Sequence, residues 1–256
     1  MKRILRSLLV HAPALGEAKA SAKSAVLKAL RRPFEPEFRV LSRLAAAPGE
    51  AALDVGANRG QSIDAIRLFQ PAIPIIAFEP DEKLAARLRA RLSGDPSIAV
   101  HGFGLGAGHA ALTLYTPAYG GYVFDGLAST DRAEAEGWLN ARTLIGFDRA
   151  RLTLREQTIE IRPLDALGVS PAFLKLDVQG AEESVIAGGE KTIRTHFPVM
   201  LIETGLNERL VGQVAALGYR AWNFAQGQLI RRQRAVRNTV FIHPDAPRGL
   251  AALMGS

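Results

Sequence analysis

Four short apolar runs in this chain each close on a carboxylate: AALD at Asp54, IPIIAFE at Glu79, AFLKLD at Asp177 and VMLIE at Glu203. Between them lie stretches with helical spacing. DEKLAARLRARLSG is the clearest, with Leu84, Leu88 and Leu92 four residues apart and Gly94 at its end. Strands of this length alternating with helices predict a parallel sheet covered on both faces. In such a sheet a ligand lies beyond the carboxyl ends of the strands, where the chain order reverses. Further strand-like pieces are SIAVHGFG (97–104), AALTLYTP (110–117) and REQTIEIRPLDAL (155–167). AEESVIAGGEKTIRTH reads as one helix bent at Gly188–Gly189. YRAWNFAQG and AVRNTVFIHP read as a closing antiparallel hairpin connected through QGQLIRRQR.

The first run continues as LDVGANRGQS (53–62). Gly56 and Gly60 lack a Cβ and would let a ligand approach the main chain. A pyrophosphate prefers three glycines in G-x-G-x-x-G, and here Ala57, Asn58 and Arg59 fill the gap. A nucleoside bearing an amino acid suits the turn better, its ammonium and carboxylate held by Asp54, backbone groups and Asn58. S-adenosylmethionine is such a ligand. Glu79, 23 residues after Gly56, stands where an acid accepts both ribose hydroxyl protons. Glu79 also suits a helix start, and Asp54 also suits a buried acid satisfied by backbone N–H groups.

A chain of 256 residues holds one large α/β domain with appendages. It has no cysteine, which excludes disulfides, thiolate zinc sites and cysteine nucleophiles. Five scattered histidines offer no metal-ligand spacing, so no metal is expected. Residues 1–32 carry eight basic residues against one acid, whereas residues 33–256 hold 24 of each. The basic character therefore belongs to an N-terminal arm, and an uncharged body argues against a nucleic-acid groove across it. In that arm Arg6, His11 and Pro13 interrupt the apolar core a signal peptide needs. Ala22, Val26, Ala29 and Leu30 fall near one face of an amphipathic helix that a membrane or partner would take; the plainer reading is an arm packing beside the domain. No apolar stretch approaches the roughly 20 residues of a spanning helix, and a cytoplasmic location, peripheral to a membrane at most, is expected.

LDVGANRGQS, AFEPDEKLAARL, VHGFGLGAGHAALTLY, RPLDAL, FLKLDVQGAEESVIAGGEKTI and PVMLIE resemble, in order and spacing, the FkbM-family methyltransferases over about residues 50–243. The resemblance implies a Rossmann-like class I methyltransferase fold: a mostly parallel seven-stranded sheet flanked by helices, with an antiparallel C-terminal hairpin. The expected organisation is a basic helical arm over 1–48 and a methyltransferase domain over 49–256, with 118–150 as a substrate-side insertion; the arm and much of 118–150 fall outside the resemblance. The resemblance also implies S-adenosylmethionine-dependent O-methylation of a sugar, glycan or natural-product hydroxyl. Asp54, Gly56, Asn58 and Gly60 would form the first cofactor motif, Glu79 the ribose-binding acid, and Phe103 and Gly104 the adenine border. Many relatives carry an acid where this chain has Gln179.

Methyl transfer is an in-line displacement that gains most from alignment, with a carboxylate assisting the acceptor hydroxyl. Asp177 is the first candidate for that base, with Glu203 and Glu182 beside it. Neighbouring acids raise one another's pKa, which would bring a base toward neutrality. Glu182 equally suits a first-turn helix acid. Lys175 lies on the same strand face as Asp177 and needs a carboxylate partner once buried, either a rim acid or Asp165. Tyr119, Tyr122 and Trp138, with Tyr115 and Phe124, either line an acceptor pocket or pack an inserted hairpin. The rival activities are an NAD-dependent oxidoreductase on a similar sheet and an RNA-directed methyltransferase tethered by the arm.

Overall fold

The structure, a computed structural model, describes residues 7, 10, 26, 27, 29–246 and 248–254. Most of the basic arm lies outside the described residues, and so do the expectations for Ala22 and the other residues of 11–25. In chain order the elements are a 3₁₀ helix (Pro36–Arg43), β1 (Ala51–Val55), α1 (Gln61–Phe69), β2 (Ile75–Phe78), α2 (Glu82–Leu92), β3 (Ile98–His101) and β4 (Gly104–Leu105). There follow β5 (Ala110–Tyr119), β6 (Tyr122–Val123), α3 (Arg132–Gly137), β7 (Leu152–Arg162), β8 (Pro171–Leu176), α4 (Glu182–Gly188) and α5 (Glu190–His196). The chain closes with β9 (Val199–Glu203), α6 (Glu208–Ala216), β10 (Arg220–Ala225), β11 (Gln228–Arg231) and β12 (Asn238–Ile242). Two compact units result: residues 31–110 with 160–256, and residues 111–159 with the described residues up to 30.

The larger unit is built on an eight-stranded sheet in the order β11-β10-β12-β9-β8-β1-β2-β3. Strands β3, β2, β1, β8 and β9 run parallel, whereas β12, β10 and β11 join by antiparallel pairing. After β1 the chain moves outward through β2 and β3, then returns to place β8 on the other side of β1. The order therefore reverses between β1 and β8.

The expected count of seven strands is corrected to eight. Gln226 and Gly227 both take positive φ (+52° and +84°), the two-residue turn that matches strand twist. β10 thus folds straight back onto β11, pairing Ala225 with Gln228. The segment read as a connector is itself the edge strand, and β12 pairs with β10 on its other side. Two more breaks differ from the sequence reading. The run 97–104 bends after His101, leaving β3 in the large sheet while Gly104 pairs with Ile161 of β7. The helix read over 181–196 as bent at Gly188–Gly189 is two helices sharing Gly189 as their cap, and Gly188 packs where a Cβ would stand 1.9 Å from the Gly106 carbonyl oxygen.

Both faces of the sheet are covered. Phe38 and Leu41 of the 3₁₀ helix, Ile63 and Ile66 of α1, and Ile75, Phe173 and Val240 form one apolar layer. Leu53, Val55, Leu174, Leu176, Ile202 and Phe241 face α4, α5 and α6 through Val185, Ile186, Ile193 and Leu210. Each fully buried Leu, Ile or Phe in these layers contributes about 1.5–3 kcal/mol. Helix α2 starts where Asp81 accepts from the Lys83 and Leu84 amides (2.9 and 3.3 Å), and α6 where Asn207 accepts from the Leu210 amide (3.0 Å).

The smaller unit has its own core of Val10, Tyr119, Phe124, Leu139 and Leu144, against which Tyr122, Leu127, Phe147 and Leu152 pack. Gly120 and Gly121, both at positive φ, close the β5–β6 hairpin. Among the described residues no helix is long and apolar enough to cross a membrane.

Candidate functional site

Side chains along a strand alternate between faces, and this parity assembles the site. Asp54 of β1 pairs in register with Lys175 of β8. Both share a face with Ala52 and Phe173, the face covered by the 3₁₀ helix. Two residues beyond Lys175, Asp177 emerges on that face at the sheet rim. Lys175 pairs with Leu201, so Glu203, two residues further along β9, emerges there as well.

Lys175 is the hub. Its side chain is 7% exposed. Nζ donates to the Gly56 carbonyl at 3.0 Å and stands 3.5 Å from Asp54 Oδ1 and 3.6 Å from Asp177 Oδ2. Burial pushes the ammonium pKa down, but Asp54, Asp177 and Glu35 outweigh it and hold it above the usual lysine value. Asp54 is fully buried; its Oδ2 accepts from Ser62 Oγ at 2.5 Å, whereas Oδ1 has no hydrogen-bond partner. Burial raises its pKa against the opposing pull of Lys175 and Ser62. The partner expected for Lys175 is therefore a pair of rim acids. Asp165 instead accepts from the Lys191 and Thr192 amides at the start of α5.

Asp177 is half-buried and receives the Gln179 amide on Oδ1 at 2.7 Å. Burial pushes its pKa up, yet Lys175, the Gln179 amide and the charge of Arg237 together hold it below the usual aspartate value. That corrects the expectation that neighbouring acids would raise this base toward neutrality: the cations intervene. Glu203 is clamped by Arg237, Nε to Oε1 at 3.1 Å and Nη2 to Oε2 at 3.2 Å. Arg237 Nη1 reaches Glu35 Oε1 at 3.2 Å. Glu35 and Arg237 had no signal in the sequence, since each lies on an irregular segment next to a run of other charges.

Glu182 does not join the reactive acids. Its Oε1 accepts from the Val178 and Gly180 amides (3.0 and 3.3 Å) and its Oε2 from Gly180 (3.0 Å). It staples the loop that carries Asp177, in which Gln179 adopts a left-handed φ of +54°. Glu182→Ala is expected to cost about 1–3 kcal/mol, the penalty for stranding buried N–H groups, read as a lower urea midpoint.

The glycines of the first turn serve the chain. A Cβ on Gly56 would lie 1.9 Å from the Asp177 carbonyl oxygen, so that space belongs to β8 and not to an approaching ligand. Gly60 sits at φ +81° against Leu88 and Arg91 of α2. Asn58 is also left-handed (+47°) and donates its backbone N–H to Glu79 Oε2 at 2.7 Å; Glu79 Oε1 accepts from the Asp81 amide at 2.9 Å. Because Asp81 caps α2, Glu79 is left to fix the first turn at the end of β2. Phe103 is buried between Phe78 and His101, with the Arg162 guanidinium 4.2 Å from its ring centre. Gly104 leads into β4 against Ile161.

Of the three aromatic residues expected at an acceptor pocket, Tyr119 and Tyr122 pack in the small unit. Tyr119 is 3% exposed. Its hydroxyl donates to the Gly146 carbonyl at 3.3 Å and accepts from the Asp148 amide at 2.7 Å. Tyr122 packs edge-on against Phe124 at 4.7 Å. Both build the small unit's core, the alternative an inserted hairpin offers. Trp138, at the end of α3, is 37% exposed.

An open α/β sheet whose order reverses between β1 and β8, with fixed acids at that point, defines a doubly wound domain, a class of fold that binds ligands beyond the strand ends at such a point. A family model described as the methyltransferase FkbM domain matches residues 54–223. The 2-O-methyltransferase NoeI of Sinorhizobium fredii (strain NBRC 101917 / NGR234) is 24% identical over 160 residues, 62% of this chain and 65% of its own. Among solved structures, methyltransferase FkbM from Methylobacillus flagellatus KT is 17% identical with a TM-score of 0.47, covering 79% of this chain and 48% of that one. The precorrin-6y C5,15-methyltransferase of Geobacter metallireducens GS-15 is 14% identical with a TM-score of 0.41, covering 82% and 86%. The chain thus spans just under two thirds of the NoeI protein and about half of the FkbM structure. The chain belongs to the FkbM methyltransferase family.

Proposed function

We propose that this chain is an S-adenosylmethionine-dependent methyltransferase that acts on a hydroxyl of a sugar, glycan or natural-product acceptor. The observation that carries the assignment is the acid-rich rim at the β1–β8 switch point. There, four carboxylates surround two cations, and the buried Asp54 Oδ1 has no hydrogen-bond partner. Such a donor set fits a ligand with an ammonium and a sulfonium and does not fit a pyrophosphate. Family membership supports methyl transfer, and the 2-O-methyltransferase named among the relatives supports oxygen as the acceptor atom.

When bound, S-adenosylmethionine supplies an electrophilic methyl group on a sulfonium. Asp54 would hold the amino-acid end of the cofactor, with the Asn58 loop beside it, and Glu79 would accept from the ribose hydroxyls. Asp177, ionised across the neutral range, would accept the hydrogen bond of the acceptor hydroxyl, orient it and take its proton. Alignment of the acceptor oxygen with the methyl group would supply most of the rate.

In the test, calorimetric titration of the full chain shows binding of S-adenosylhomocysteine and none of NADH; the reverse result ends the assignment. Asp177→Asn is expected to bind S-adenosylhomocysteine like the parent. Methyl transfer to acceptors in a bacterial extract, followed with radiolabelled cofactor, is expected to fall by about 100-fold or more. Unchanged transfer would remove Asp177 from the reaction.

A further inference from the structure

Glu35 lies outside residues 54–223, the span shared with the family model, yet it reaches the same rim. It immediately precedes the 3₁₀ helix, whose Phe38, Val40 and Leu41 are fully buried in the layer that covers Asp54 and Lys175. Its side chain is 14% exposed, ion-paired to Arg237 and hydrogen-bonded to the Asn238 side chain. Its charge helps hold the Lys175 ammonium, and that of Asp177 helps raise its own carboxyl. With Asp54, Asp177 and Glu203 it makes four carboxylates, against the two cations Lys175 and Arg237. With all four ionised the formal excess of negative charge is two, and one without Glu35; burial raises the pKa of both Glu35 and Asp54 against the pull of Arg237 and Lys175.

Cofactor and product differ at one atom in charge: a sulfonium before transfer, a neutral thioether after. A half-buried rim with excess negative charge therefore binds the two unequally, since Coulomb attraction is weakly screened there. We propose that Glu35 is a further cofactor-site residue that makes the crevice prefer the charged sulfonium over the neutral product, with Arg237 as the residue that positions it. This rests on the S-adenosylmethionine assignment above. Loss of the positive charge on methyl transfer then weakens the hold on the product and speeds its release.

Calorimetric titration of the full chain with S-adenosylmethionine and with S-adenosylhomocysteine, at low ionic strength and near neutral pH, tests this. The parent is expected to bind S-adenosylmethionine roughly tenfold more tightly, and Glu35→Gln to narrow the ratio to about threefold or less while its affinity for S-adenosylhomocysteine holds. Glu35→Asp keeps the charge and is expected to keep most of the preference, which a merely structural role for Glu35 would not predict. A parent ratio at or below one overturns the proposal, even if Glu35→Gln does not fold. An unchanged ratio in folded Glu35→Gln overturns it too. Binding of neither nucleoside removes the cofactor assignment itself, a different outcome from binding both alike.

Discussion

Gly56→Ala is expected to destabilise the protein by about 2–5 kcal/mol, and not merely to weaken a ligand site. Two costs add. The residue sits at φ +82°, where an L side chain costs about 1–2 kcal/mol. The added Cβ would also stand 1.9 Å from the Asp177 carbonyl oxygen, which forces β1 and β8 apart at the centre of the sheet and adds about 1–3 kcal/mol of overpacking strain. Chemical denaturation followed by circular dichroism measures it. A variant as stable as the parent that has only lost nucleoside binding would show that the glycine serves the ligand after all.

Lys175→Met is the second large effect. The side chain is of similar length, so the loss is chiefly the charge. Asp54 would remain fully buried with an unpartnered Oδ1 and no cation, and breaking such a pair costs about 3–5 kcal/mol. The pH dependence has a definite sign. Asp54 already has a folded pKa above its unfolded value because of burial. An acid shifted upward lowers stability as pH rises through the window between those two values. Removing Lys175 widens that window, so the deficit should be greatest at neutral pH and shrink as the medium is acidified toward the carboxyl range. Parent and variant urea midpoints across that range check it. A deficit independent of pH would mean that the ammonium acts through packing alone. Adding Asp54→Asn to Lys175→Met should recover much of the loss, because the uncompensated charge is gone.

The clearest sequence signals were those carried by repetition along the chain. Leu84, Leu88 and Leu92 marked α2 because the contacts that bury a helix face recur every turn. Asp54, Glu79, Asp177 and Glu203 marked strand ends because a hydrophobic run stops where the backbone meets the crevice. Lys175 announced a buried partner by its parity with Asp177, and the structure places one on either side of it. The aromatic-rich stretch 118–150 had no period to read, since its core is made by irregular turns closing on Tyr119 and Phe124.

By itself the sequence determined the alternation of strands and helices, the strand face that Lys175 and Asp177 share, and the identity of the family. These follow from periodicity and from motifs a few residues long, which no distant contact can alter. Only the tertiary structure decided that Gly56 yields its space to the Asp177 carbonyl, that Glu182 closes a loop, and that Glu35 and Arg237 complete the rim from opposite ends of the chain. Those outcomes depend on which backbones approach within van der Waals distance and which charges share a low-dielectric layer. Such proximity is created by folding between residues as much as 202 positions apart, Glu35 and Arg237, and it leaves no local mark on either.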